Sequence, residues 1–167
     1  MIIGFHQCRP RVKFPLVAWI IMLFQKMFPW KKESYSHIAM SYYPNQLSRR
    51  FIDSTGHGVR DRLDKNFLHN YSIVRSIFYE YSSIDHVKMR KWVESIEETH
   101  YDHLGIFGQL MNIITGKKLN IGSRWKKLSC QEIPLHFFHY FFANEIKNSD
   151  DYDLRSSWDY IRQKTCE

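Results

Sequence analysis

A chain of 167 residues with 44% hydrophobic content can bury a real core, and we expect one domain over residues 1–167. Its three cysteines are too few and odd in number, which excludes a disulfide framework and favours a reducing compartment. The net charge of +7 allows contact with nucleic acid, an anionic membrane or an acidic polymer, but scattered positive residues are more typical of a solvated basic surface.

The N-terminal part of the chain predicts a strand and then a helix. Residues 1–6 form a short apolar run, expected to be a strand. Residues 14–24 are apolar but fall short of the roughly 20 residues that span a bilayer, and no small-residue cleavage site follows. A buried amphipathic helix from Pro15 to about residue 27 is therefore favoured over a signal peptide or a membrane-surface helix. We expect a cytoplasmic protein with no transmembrane segment.

The middle of the chain predicts strands. Residues 36–43, 50–54 and 70–81 form three strand candidates, of which the last is rich in β-branched and aromatic side chains. Pro44, Asn45 and Gln46 predict a turn between the first two. A tight turn is expected over residues 55–59, where two glycines can take positive φ.

The C-terminal half predicts helices. Ser83 or Asp85 can cap a first helix. Further helices are expected over residues 103–114, 130–146 and 156–164, with a polar break at 148–153. A strand, a helix, a run of strands and then helices indicate an α+β fold, with a small antiparallel sheet packed against helices.

Cys130 is the first candidate for chemistry. It follows Lys126 and Lys127 and opens the most apolar helical segment, and a helix N-terminus favours a thiolate. His37, on a predicted strand, can serve as its base, and Asp53 on the next strand is the nearest carboxylate that could orient the imidazole. From composition alone, a packing role for such residues is the commoner outcome.

Four short motifs occur in a suggestive order. A strand carries Ser36-His37-Ile38-Ala39, the next ends in Asp53-Ser54 before Gly58-Val59, Tyr101-Asp102 precedes a helix, and Cys130-Gln131-Glu132-Ile133 opens another. Over residues 1–146 this resembles the permuted papain-like cysteine amidohydrolases, the group of NlpC-type cell-wall peptidases, YiiX-like proteins and lecithin retinol acyltransferase relatives. This chain departs from the pattern with Gln131 in place of Ser and Asp53 in place of the commoner Glu.

The resemblance implies a permuted papain-like fold and cleavage of an amide or ester through a thioacyl intermediate. It implies Cys130 as nucleophile, His37 as base and acid, and Asp53 as the group that orients His37. The expected substrate is a peptide or isopeptide amide, such as a peptidoglycan stem peptide, in a small protein of a bacterium or bacterial virus. A thiol acyltransferase, a lipid-ester hydrolase and a non-catalytic binding module on the same fold stay open.

Other candidate sites are less favoured. The pairs His100 with His103 and His136 with His139 have helical spacing, but no cysteine or carboxylate companions at metal-site spacing, so we expect no metal and no other cofactor. Basic residues beside tryptophans could contact nucleic acid, yet no recognised motif accompanies them, and no specific nucleic acid partner is expected.

Overall fold

A five-stranded antiparallel sheet organises the computed structural model, which describes residues 1–11, 37–45, 48–97, 99–102, 127–143 and 154–166. Its strands are β1 (Ile2–Pro10), β2 (His37–Asn45), β3 (Ser48–Thr55), β4 (Gly58–Leu63) and β5 (Tyr71–Glu80). Their order is β4-β3-β2-β1-β5, so β4 and β5 are the two edges. The described helices are α1 (Asp64–Asn70), α2 (His86–Ile96), α3 (Glu132–Phe142) and α4 (Leu154–Cys166). The predicted α+β class is confirmed.

The main core joins one face of the sheet to α2, α3 and α4. Phe5 of β1 and Met40 of β2 are register partners and contribute to this face. They belong to the same buried cluster as Trp92 of α2, Phe137 of α3 and Trp158 of α4. Since α3 is apolar on most sides, it is buried along much of its length.

The opposite face of the sheet carries a smaller cluster. Cys8, Ala39 and Phe51 pack there against Phe67, the one buried residue of the short helix α1. The Phe51 and Phe67 rings stack with centroids 4.2 Å apart. His37 and Asp53 lie on this same face of the sheet, and the His37 ring is 6.5 Å from that of Phe67.

Several predicted boundaries agree with the structure. The strands predicted at residues 50–54 and 70–81 correspond to β3 and β5, and β1 continues past the predicted residue 6 to Pro10. The tight turn lies between β3 and β4, with Gly58 at φ 93°. Asp85 caps α2, its carboxylate accepting the Lys88 N–H at 2.8 Å.

Other boundaries were wrong. Pro44 and Asn45 belong to β2 instead of a turn, because the pairing with β3 continues to Asn45 opposite Ser48. The helix predicted to open at Cys130 begins at Glu132. Neither β4 nor α1 was predicted. The helices predicted from Pro15 to about residue 27 and over residues 103–114 lie outside the described residues, as do the break at 148–153 and Gln46.

Candidate active site

The sheet brings His37 and Asp53 to the same face. Ser41 pairs with Phe51 in the β2–β3 register. Because side chains alternate along a strand, His37, four residues from Ser41, and Asp53, two residues from Phe51, share that face. His37 Nε2 lies 3.6 Å from Asp53 Oδ2, within ion-pair range but just beyond hydrogen-bond length. Both residues are buried, Asp53 completely. The hairpin of β2 and β3 therefore positions an imidazole against a carboxylate, as predicted.

Two further side chains fix this pair. Arg62 on β4 is opposite Phe51 in the register, and its Nε lies 3.2 Å from Asp53 Oδ1. Tyr71, the first residue of β5, stacks on the His37 ring with centroids 4.6 Å apart and planes 12° apart. Arg62 thus holds the carboxylate from the side away from His37, and Tyr71 limits rotation of the imidazole.

Cys130 lies in a turn directly before α3. The Glu132 carboxylate accepts hydrogen bonds from Ser129 N–H at 2.8 Å and from Ser129 Oγ at 2.7 Å, which closes this turn around Cys130. Glu132 also provides the acidic first-turn residue that the helix dipole favours. The correction to the helix start therefore has a local cause: the bonds from Ser129 to Glu132 hold residues 129–131 as a turn.

Backbone contacts tie this turn to the sheet. Ser54, next to Asp53, donates its hydroxyl to the Leu128 carbonyl oxygen. Leu128 N–H donates to the His100 carbonyl oxygen at 3.0 Å, and Val59 N–H of β4 donates to the Thr99 carbonyl oxygen at 2.9 Å. Consequently the segment before Cys130 is held beside the same strands that carry Asp53 and Arg62.

The electrostatics couple Cys130 to His37. Burial by itself lowers the pKa of His37, but the charge of Cys130, hydrogen-bonding contacts with Asp53 and Cys130, and the charge of Asp53 outweigh it and raise that pKa to about 9. Because Nε2 faces Asp53, Nδ1 is the ring nitrogen left for the thiol. A cysteine next to a protonated imidazole is the setting in which enzymes use sulfur to attack carbonyl carbon.

The other described cysteine and a nearby tyrosine contrast with Cys130. Cys8 pairs with His37 in the β1–β2 register and, like Cys130, is buried; its thiol pKa is raised by burial, then by Asp53 and Cys130. Tyr101, from the predicted Tyr101-Asp102 motif, has a pKa raised by burial and then by the Cys130 charge. Cys8 is therefore an inert neighbour, and Tyr101 borders the site.

The remaining histidine candidates do not join this site. His6 is buried on β1 between Ser76 Oγ at 2.8 Å and Ser41 Oγ at 2.7 Å, and burial followed by Arg49 lowers its pKa to about 3. His136 Nδ1 accepts the Trp92 Nε1–H at 3.0 Å. His103 lies outside the described residues. Within the described ranges no group of His, Cys, Asp and Glu could hold a metal ion.

Sequence reasoning missed Arg62 and Tyr71. Arg62 belongs to β4, which has no apolar alternation to mark it as a strand, although the two glycines of the preceding turn could have indicated a hairpin. Tyr71 stood in a predicted strand, but only the sheet order places β5 beside β1 and so near His37.

Comparison with known proteins adds no relative: no protein-family model, curated protein or solved structure matches this chain. None of the described helices has the length and apolar character needed to cross a membrane.

Proposed function

We propose that this chain is a cysteine-dependent amide hydrolase of the permuted papain-like type, with Cys130, His37 and Asp53 as its catalytic residues. One observation carries the proposal. The His37 ring lies 3.6 Å from a buried carboxylate, and Cys130 is near enough to contribute to the raised pKa of His37. A nucleophile, a neighbouring base and a group that orients the base are the requirements of covalent acyl transfer.

The chemistry follows from the positions of these groups. The Cys130 thiolate attacks the carbonyl carbon of the amide, and the tetrahedral oxyanion is met by backbone N–H groups at the start of α3. The C–N bond then breaks, and the His37 imidazolium gives its proton to the departing amine. Water, deprotonated by His37, cleaves the thioester, which releases the carboxylic acid and restores the thiol.

The substrate class we propose is a peptide or isopeptide amide, such as the stem peptide of peptidoglycan. The net charge of +7 supports an anionic polymer as substrate, because opposite charge raises the encounter rate. The same thioester could pass its acyl group to another acceptor, so product analysis must separate hydrolysis from transfer.

Selective alkylation tests the catalytic proposal. The protein is treated with iodoacetamide near neutral pH, and the modification rate at each cysteine is followed by peptide mapping. We expect Cys130 to react at least about tenfold faster than Cys8, because Cys8 is fully buried with a raised thiol pKa. His37→Ala should remove this advantage, since the imidazolium partner is lost.

A matched control separates catalysis from folding. His136→Ala removes a half-buried histidine that accepts a hydrogen bond from Trp92, and it should leave the Cys130 rate unchanged. The catalytic proposal is abandoned if Cys130 reacts no faster than Cys8 and Cys166, or if His37→Ala changes nothing.

A further inference from the structure

A groove of about 1010 Å³ runs along the β4 edge of the sheet, beside the candidate active site. Arg60 and Arg62 of β4 line it, together with His57 and His100. Arg62 also contacts the Asp53 carboxylate at 3.2 Å, so it is shared between the groove and the active site. Asn70 also lines the groove. It directly precedes Tyr71, whose ring stacks on that of His37.

The strand register places Arg60 and Arg62 on the face of the sheet that carries Asp53. Arg60 is directly opposite Asp53, and Arg62 is opposite Phe51. Directly opposed residues of antiparallel strands project to the same face, with Cα atoms about 5 Å apart. A group held by Arg60 would therefore lie one strand away from Asp53 and on the same side of the sheet.

The carboxylates that line the groove leave the Arg60 guanidinium available to bind a ligand. The Asp61 carboxylate is occupied by Arg50 Nε at 2.7 Å and the Tyr42 hydroxyl at 2.8 Å. In the described part of the chain the exposed Arg60 has no ion pair or side-chain hydrogen bond. Glu97, exposed at the rim, is the other carboxylate of the groove.

We infer that this groove binds an anionic group of the substrate, a carboxylate or a phosphate, with Arg60 as the primary contact and Arg62 linking that contact to Asp53. The inference rests on the proposed function and narrows it to acyl substrates that carry a negative charge close to the scissile bond. An arginine guanidinium is well suited to this task because its paired N–H donors match the oxygens of both groups.

Charge-matched alkylating probes test the inference. The carboxylate probes are N-chloroacetyl-β-alanine and N-chloroacetyl-γ-aminobutyrate, and each is compared with its neutral carboxamide. The phosphate probe is N-chloroacetyl-aminoethylphosphonate, which is compared with the same carboxamides. Alkylation rates at Cys130 are divided by those for free cysteine, which removes intrinsic reactivity. We expect at least one anionic probe to react about fivefold faster than its neutral twin, a preference that about 1 M salt abolishes. The larger preference, carboxylate or phosphonate, identifies the anionic group.

Substitutions at two arginines make the test specific. Arg60→Gln should remove the preference, measured as the anionic-to-neutral rate ratio within that variant, and Arg60→Lys should keep part of it. Arg75→Gln is the matched control, because Arg75 is exposed on β5 at the opposite edge of the sheet. Rapid alkylation by the neutral probes without any charge preference, or a preference that survives Arg60→Gln, overturns the inference alone. Failure of every probe to modify Cys130 overturns the proposed function as well.

Discussion

At the residue scale, the Asp53 carboxylate lies close to both the guanidinium of Arg62 and the imidazole of His37. Arg62 contacts Oδ1 at 3.2 Å and His37 faces Oδ2 at 3.6 Å. The carboxylate is fully buried, and charge in such a place is tolerated only when it is paired. The Arg62 guanidinium therefore compensates the carboxylate in either protonation state of His37. Asp53, where the resemblance would lead one to expect Glu, thus contacts Arg62 and lies within ion-pair range of His37.

Asp53→Asn is expected to lower the pKa of His37, because the contact with Asp53 and its charge both raise it. His37 titrates at about 9 in the parent protein, so its imidazolium persists through neutral pH; in the variant the midpoint should fall by about one pH unit. At about pH 9, where about half of the parent's His37 but only about a tenth of the variant's would be protonated, the Cys130 alkylation rate should fall about fivefold. Histidine ring NMR during a pH titration measures the first quantity and peptide mapping the second.

His136 is the internal reference for that titration. Burial, and then His139, lower its pKa to about 4, and it bonds Trp92 away from the site. Its midpoint should stay where it is. An unchanged His37 midpoint in Asp53→Asn would show that the carboxylate does not act on the imidazole.

At the scale of the elements, the sequence pattern could predict the strands and helices whose side chains are apolar and at least half-buried. The strands containing His37 and Asp53 could be found because each contains a short apolar run, Ile38-Ala39-Met40 in one and Phe51-Ile52 in the other. The edge strand β4 could not, since its charged Arg60, Asp61 and Arg62 suit an exposed edge and hide the alternation. The proximity of Cys130 to His37 could come only from the resemblance, because no local pattern encodes a contact across about 90 residues.

Glu132→Ala tests whether the turn before α3 positions the nucleophile. Its carboxylate binds both Ser129 N–H and Ser129 Oγ, so the variant leaves two buried donors without a partner. The free energy of unfolding should fall by about 2 kcal/mol in urea titrations. The Cys130 alkylation rate should fall about tenfold, because the turn no longer fixes the sulfur beside His37.

A conservative variant and a distant one bracket the Glu132 result. Glu132→Gln retains an oxygen acceptor and should recover most of both quantities. Glu94→Ala removes an exposed carboxylate that pairs with Arg90 at 2.8 Å on α2, and it should change the free energy of unfolding by less than about 0.5 kcal/mol. If Glu132→Ala behaves like Glu94→Ala, the turn is held by other contacts.

At the scale of the whole molecule, one strand connects the structural core to the site. Strand β1 lies between β2 and β5, and Cys8 on it is the register partner of His37. Phe5 on the same strand stacks on Phe138 of α3, with ring centroids 5.5 Å apart, and meets the edge of Phe137 at 6.0 Å. The sheet that holds His37 and the helix that follows Cys130 are therefore parts of one core.

Phe5→Ala should consequently destabilise the site and the fold together. The ring is fully buried, and its removal is expected to cost about 3–5 kcal/mol of unfolding free energy. Urea titrations followed by circular dichroism should shift by the same amount as titrations followed by alkylation of Cys8, because a two-state domain exposes its core in a single transition. Phe78→Ala is the matched control: Phe78 is 51% exposed on the edge strand β5, and its loss should cost about 1 kcal/mol or less. Separate midpoints for the two probes would mean that the core around Cys8 opens independently of the helices, which contradicts a single core.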